Sequence, residues 1–541
     1  MPMLPKQITQ LLAGDEPAGR RRIALEDRTL NLEAMAKRLY DEWEAQYEFV
    51  MEADEWLQCN NEVPNLPKDQ WVPDHQALLD VAAAPYIRVA IAEMTQCLYV
   101  EGHIPTNRKP GTRESSDVWK RIWQANRMDA RQIAVHRNAL AHGVAYVMCE
   151  RSTDPLTGEE TIGLRGISAL SGCALWRPGA IADFPEQFIE VQTDQVDDDG
   201  KAVEHIRITD SDETHIFRHE PDSEGRFEYV TSEQHGAGVV PVVAFANDED
   251  LDGRTLGEVR PMIPILKRLD QDTFDRLIVQ RHGSWRIRTA AGVQLRSEKG
   301  QEPTEEDERY LEHLRLTDLL ASENPQARFG TLEPTPLDGY IAARDADLRD
   351  FATILQIPPH HILGLSPNVS AEGLVEAQAG LMRKMEERQH LFGEAWELVM
   401  RLAAHMLGMK DAAADFTAQV TWRDMESRSL AQIADALGKV ATMLEVPPEL
   451  LWNRLPNWTQ QDTEAAQQRR EEIKLEQEMM ALIESGGAGP SGDTGGGGGG
   501  SAGSYQGGGA RGSGIDDAER RRINRIRGGY GPDWDGDGKP N

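Results

Sequence analysis

Three stretches of the chain carry apolar residues at helical spacing, and two inserts of different character separate them. Across 262–281, Ile263, Leu266, Leu269, Phe274, Leu277 and Ile278 step mostly by three or four, which stacks them on one helix face. The stretch 337–356 repeats the pattern with Ile341, Leu348, Phe351 and Leu355 and stops at Pro358-Pro359, whose rings cannot continue a helix. A third stretch, 371–408, runs through Leu374, Leu381, Met385, Phe392, Trp396, Val399 and Met406; Ser370 is placed to cap it, and Glu372 suits its positive end. Two helices of matched length around an insert of about 55 residues predict a hairpin that carries something at its tip. The second insert is short, Leu363-Gly364-Leu365-Ser366-Pro367-Asn368-Val369-Ser370.

The same spacing predicts a helix over 30–57 from Leu32, Met35, Leu39, Trp43, Tyr47 and Val50. A more apolar helix is predicted over 77–99, kinked or divided at Pro85, followed by shorter ones over 118–126 and 129–142. Gly143 then breaks the pattern before a β-like run at 144–148. From about 144 to 247 the period shifts towards two, as in Val203-Glu204-His205-Ile206-Arg207-Ile208 and Thr214-His215-Ile216-Phe217-Arg218. Acidic and glycine-containing turns such as Asp197-Asp198-Asp199-Gly200 lie between these runs. The expectation is an antiparallel meander with one wet face, closing on 239–245. In the long insert, an acidic helix is expected over 305–320. Helices are expected again over 430–444, 448–453 and 462–485, while residues 1–25 read as a mobile N-terminus. After Gly486 a Gly/Ser tail, 486–541, has too few apolar residues to bury a core. The fold class is α+β, mainly helical.

Charge narrows the function. The chain has 541 residues and a formal net charge of −32, with the excess acid spread along its length. Such a surface repels phosphate, so a DNA-reading domain is excluded, though not a protein that DNA passes. Cys59, Cys97, Cys149 and Cys173 show no CxxC or metal spacing and read as free core thiols in a reducing compartment. The opening residues lack the apolar core of a signal peptide, and no run of apolar residues is long enough to span a membrane.

Candidate chemistry is sparse. Neither a GxxxxGK[ST] phosphate loop nor HExxH nor GxSxG occurs. His136 and His142 fall on different helix faces and read as structural. His215 and His219 share a strand face near Glu213, a thin basis for a metal site; an enzyme using His205, His215 and His219 is the weakest of the functional readings. His360-His361 follow a proline stop and are expected to cap or to face solvent. Asp533-Trp534-Asp535-Gly536-Asp537-Gly538 imitates half a calcium loop without its closing acid, and Arg520-Arg521-Arg522 reads as a solvated charge run. No nucleophile, base and orienter assemble, so neither catalysis nor a cofactor or metal is expected.

The order of elements carries a resemblance. Gly238-Val239-Val240-Pro241-Val242-Val243-Ala244-Phe245-Ala246-Asn247, an acidic loop, and Leu256-Gly257-Glu258-Val259 lead into the first helix. Leu337-Asp338-Gly339-Tyr340-Ile341, Ile357-Pro358-Pro359-His360-His361-Ile362-Leu363-Gly364 and Asn368-Val369-Ser370-Ala371-Glu372-Gly373-Leu374 follow in turn. Over roughly 30–470 this resembles the portal proteins of tailed bacteriophages with long non-contractile tails. Asp270-Gln271-Asp272 departs from the family, whose members often carry an Asn in that helix.

The resemblance implies a homo-oligomeric ring, usually of twelve, at one capsid vertex of the virion, assembled in the host cytoplasm, with double-stranded DNA threading the axis without sequence-specific binding. It implies a wing at 26–256, stem helices at 257–281 and 337–357, and a clip at 282–336. The long wing or crown helices would take 373–485. The stem packing residues would be those apolar positions of the first two helices. Trp285, Arg286, Arg288, Glu305 and Glu306 of the clip would meet a head–tail adaptor. The tunnel loop, 363–372, would face DNA with Gly364, Leu365, Ser366, Pro367, Asn368, Val369 and Ser370. Other implied partners are the major capsid protein, the scaffold and the terminase large subunit, with no membrane. The runner-up is another ring-forming head–tail protein.

Overall fold

The computed structural model describes residues 18–60, 77–79, 81–106, 118–177, 183–196, 202–221, 226–284, 288–291, 319–322, 325–326, 336–364, 371–425, 430–448, 451–452, 455, 458 and 460–486. The chain divides into two compact units, Met1–Arg469 and Arg470–Asn541. The second is described only over the end of one helix, where the side chains of 470–481 are all exposed.

Helix α1 (Ala18–Gln58) begins well before Leu30, inside the stretch expected to be mobile. Its length has a packing reason. Ala36, Leu39 and Trp43 serve one core, Val50 a second, and Ala53, Trp56 and Leu57 a third. The helix expected over 77–99 is divided at Pro85, the N-cap of α2 (Tyr86–Gln96), and Val100–Ile104 leaves it as strand β1. A π-helix, Trp119–Gln124, replaces the expected α-helix and stacks the Trp119 and Trp123 rings at 4.9 Å. Helix α3 (Met128–His142) ends at Gly143, whose φ of 96° favours glycine.

Strands β2 (Val144–Thr153), β3 (Glu160–Ser168) and β4 (Gly172–Leu175) follow. Next come β5 (Gln187–Val196), β6 (Ala202–Thr209), β7 (Glu213–His219), β8 (Phe227–Gln234) and β9 (Val242–Ala246). Strands β4 to β8 form the antiparallel five-stranded meander in sequence order, with α1 on one face through Ile189, Ile206, Ile208 and Phe217. The meander does not close on 239–245. Strand β9 instead pairs with β2 in a separate three-stranded sheet, order β3-β2-β9. The reason lies in its side chains: Val243 and Phe245 enter the largest core while Val242 enters another, so both faces must be covered.

Helix α4 (Ile263–Ser284), strand β10 (Arg288–Ala291), strand β11 (Leu319–Ser322) and helix α5 (Asp338–Leu355) come next. Leu319 and Leu320 thus lie in a strand parallel to β10, not in the helix expected over 305–320. A short helix α6 (Pro359–Leu363) precedes α7 (Ala371–Met406), α8 (Lys410–Ala413) and strand β12 (Gln419–Trp422). Helices α9 (Leu430–Met443) and α10 (Gln460–Gly486) complete the described chain. Between them, over the stretch 448–453 where a helix is expected, Pro448 and Trp452 are described in 3-10 conformation and Leu451 N–H donates to Pro448 C=O at 3.0 Å; the rest lies outside the described residues.

The largest core ignores the expected boundary at 256. Phe392, Trp396, Val399 and Ala403 of α7 are buried with Trp123 of the π-helix, Leu140 of α3 and Phe245 of β9. Trp396 meets Trp123 edge-on at 4.9 Å and Phe245 at 4.6 Å. Each such ring removed from water stabilises the fold by about 1.5–3 kcal/mol. Strand β12 closes this body by pairing antiparallel with β1, Val100 opposite Trp422. So the C-terminal half of α7 shares one core with described elements from Ala53 to Phe245.

Candidate functional site

The helix hairpin is the element the sequence pointed to. Helices α4 and α5 meet at their base, where Ile263, Leu266 and Leu269 share a core with Leu348, Phe351 and Leu355. Phe274 is buried elsewhere, against Leu79 and Ala82, with Leu277 half-buried beside it. Ile341 packs against nothing in this way; it is 44% exposed. Farther from the base the contacts turn polar: Arg268 pairs with Asp347 at 3.2 Å, and Gln271 Nε2 donates to Asp275 at 3.0 Å. Burial first, then the nearby Asp347 and Asp275, raises the Asp272 carboxyl above its ordinary range. The hairpin is apolar at its base and of mixed charge along its length, with seven Asp against six Lys and Arg in α4 and α5.

That base is stitched to the sheet without room to spare. A Cβ on Gly257 would stand 2.2 Å from the Ala141 carbonyl oxygen, and one on Gly143 2.9 Å from Gly257 N. Glu258 N–H donates to Leu140 C=O at 2.8 Å, and Asn247 N–H donates to Gly143 C=O at 2.8 Å. The Glu258 carboxylate then takes Lys384 at 2.6 Å and Arg388 at 3.5 Å, both from α7. Arg388 Nε donates to Asn247 Oδ1 at 2.7 Å, and Lys384 Nζ reaches the Leu355 carbonyl, near the end of α5, at 3.3 Å. One small cluster therefore ties the sheet, both hairpin helices and the first buried turns of α7. It can transmit force; it holds no nucleophile.

Sequence reasoning missed Asn247, Glu258, Lys384 and Arg388. A signal existed: Leu381, Met385, Arg388 and Phe392 are spaced by three and four, so an arginine occupies an apolar stripe. Arg388 is only 6% exposed, and a cation rarely sits there without a partner.

Of the loop residues, Gly364 is described; it caps α6 in the left-handed region with φ 65°. Leu365, Ser366, Pro367, Asn368, Val369 and Ser370 lie outside the described residues, as do Trp285, Arg286, Glu305 and Glu306. Arg288 opens β10. The Asp533 and Arg520 motifs are also outside them. His361 contacts Glu93.

The buried histidines each have a local task. Trp396 Nε1 donates to His136 Nε2 at 2.8 Å, so the proton sits on Nδ1, which donates to the Leu98 carbonyl at 3.1 Å. Burial holds His136 down at a pKa of about 4. His142 meets Asp54 at 3.2 Å, and His215 lies between Ser232 at 2.7 Å and Asp210 at 3.2 Å. His219 meets Glu204 at 2.9 Å, and Tyr40 O–H donates to the same carboxylate at 3.0 Å, joining α1 to the meander. Among the described residues, no three His, Cys, Asp or Glu are placed to hold a metal ion. All four cysteines are free thiols, and no helix among the described residues is long and apolar enough to cross a membrane.

Comparison with known proteins sets the class: this is a structural component of a bacteriophage virion, and no enzyme family is indicated. Residues 36–479 match the family described as Phage portal protein, SPP1 Gp6-like, and the chain belongs to that family. The portal protein of Mycobacterium phage D29 is 26% identical over 381 residues, covering 68% of this chain and 73% of that protein. The portal protein of Mycobacterium phage L5 is 29% identical over 216 residues, covering 38% and 43% respectively. A solved structure of the neck of an empty gene transfer agent particle, computed with C6 symmetry, aligns at a TM-score of 0.36 with 13% identity. It covers 71% of this chain and 93% of that one.

Proposed function

We propose that this chain is the subunit of a ring, twelve copies around one capsid vertex, through which double-stranded DNA enters during packaging and leaves on ejection. The observation that carries the reading is the family match over 36–479, which runs unbroken through the hairpin, the 365–370 loop and the long helix after it. In this reading 257–281 and 337–357 are the stem, 282–336 the clip that docks a head–tail adaptor, and 363–372 the tunnel loop. Residues 26–256 form the wing that meets the major capsid protein and scaffold, and 373–485 supply the long wing and crown helices. A net charge of −32 suits a channel wall that does not retain phosphate. Packaging energy comes from a separate ATPase, the terminase large subunit, docked on the ring.

Electron microscopy of the purified protein should show rings with a central hole; a monomer under every assembly condition would overturn the proposal. Shortening 366–370 should leave rings intact while impairing packaging or retention of DNA. Normal packaging by that variant would remove the loop from the channel. Packaging into capsids that lack this protein altogether would favour a different head–tail role.

A further inference from the structure

Strand β3 is an edge: in the order β3-β2-β9 no strand among the described residues pairs with its far side. A side chain closes its first half. Asn126 Oδ1 accepts from Leu164 N–H at 2.8 Å, and Asn126 Nδ2 donates to Ile162 C=O at 2.7 Å, as the backbone of a next strand would. These two bonds set the parity of the rest. Since Leu164 turns away from β2, so do Gly166 and Ser168, because alternate residues of an antiparallel strand face alternate neighbours. Ser168 C=O is taken by Ser171 N–H at 3.0 Å. Gly166 is exposed, and by this parity its N–H and C=O both face outward, with Val135 of α3 packed over it.

Beside this open length lies a groove of about 610 Å³, walled by Gly163 to Ser168 on one side and by Arg131, Ala134, Val135 and Asn138 of α3 on the other; its one carboxylate, Glu150, is neutralised by Arg165 and Arg207, each at 3.1 Å. The local charge runs against that of the chain. Within 118–138, Lys120, Arg121, Arg127, Arg131 and Arg137 face a single acid, Asp129, in a protein of net charge −32. The Asp129 carboxylate is occupied by Trp123 Nε1 at 2.8 Å and Gln124 Nε2 at 3.2 Å. Arg121, Arg127, Arg131 and Arg137 are exposed, and Arg131 lines the groove itself.

We propose that the groove receives an extended, acidic segment of a partner protein, added as a strand on β3. Its main chain bonds the N–H and C=O of Gly166, and its carboxylates lie against Arg131. At about 3.3 Å per residue, a segment of about three residues centred on Gly166 fills the open length that Asn126 and Ser171 leave. A nucleic acid would use the arginines and leave the strand edge idle, so the edge favours a peptide. The inference rests on the sheet and α3 and is independent of the ring.

The test uses the full-length protein and a fluorescent heptapeptide of alternating valine and acidic residues, read by anisotropy. Binding should be saturable. N-methylation of one alternate set of peptide nitrogens should weaken it roughly tenfold, the loss of the backbone bond into Gly166 C=O, while methylation of the other set leaves it unchanged. Arg131→Glu should weaken it at least as much without moving the melting temperature. Absence of binding, or equal binding by both methylated peptides, overturns the proposal. So does displacement of the peptide by a DNA duplex at lower concentration than by unlabelled peptide, which would make the patch a nucleic-acid surface.

Discussion

Arg388 shows how a single position can contradict its surroundings and still stabilise them. It occupies the apolar stripe of α7, yet its guanidinium meets Asn247 and Glu258, and Lys384 neutralises the other side of that carboxylate. Removing one partner from such a buried set leaves charge uncompensated, at a cost of about 3–5 kcal/mol. Arg388→Met should therefore lower the urea midpoint steeply, whereas Glu387→Ala, at a side chain 67% exposed, should stay within about 0.5 kcal/mol of the parent. His136 supplies a pH signature. Burial depresses it, and His103 likewise, to about 4, against about 6.5 for an unfolded chain. Below pH 6.5 the unfolded chain takes up protons that the folded one refuses, so this stability is full above 6.5 and is lost as pH falls towards 4. At about 1.4 kcal/mol per pH unit, each histidine withdraws about 3 kcal/mol across that window. Melting temperatures measured from pH 7 to pH 4 should fall accordingly, and His136→Gln should flatten the slope. The sequence suggested that His136 is structural from its helical position; its tautomer depends on Trp396, distant in sequence and invisible to local spacing.

At the scale of elements, apolar periodicity located both hairpin helices and the long helix, because each buries a stripe on a common core. It could not say where along a helix the stripe ends. Ile341 continues the period of α5 but is 44% exposed in the single chain, among Asp338, Ala342 and Asp345. In the proposed ring, that apolar side chain is available to a neighbouring subunit. Ile341→Asp should leave chemical denaturation of the chain within about 0.5 kcal/mol of the parent while lowering ring yield in light scattering. A change in the denaturation curve would mean that Ile341 stabilises the chain itself. Strands were less legible. β3 was missed because Gly163 and Gly166 dilute its alternation, and β9 was joined to the wrong sheet because a short apolar run does not name its neighbour.

At the scale of the molecule, element order carried the family. The long helix, which the resemblance assigns to the wing or crown, meets the elements before residue 256 through Trp396, against Trp123, His136 and Phe245. No local signal reveals that kind of joining, since its partners are hundreds of residues apart. The same holds for the pairing of β1 with β12, which brings Val100 opposite Trp422. That pairing imposes an order on synthesis. A ribosome adds about 5–20 residues per second, so the first strand waits roughly a quarter of a minute to a minute for its partner to emerge. Throughout that interval the tryptophans of the π-helix lack the helix that covers them. The nascent chain thus exposes this apolar surface until α7 and β12 have been translated.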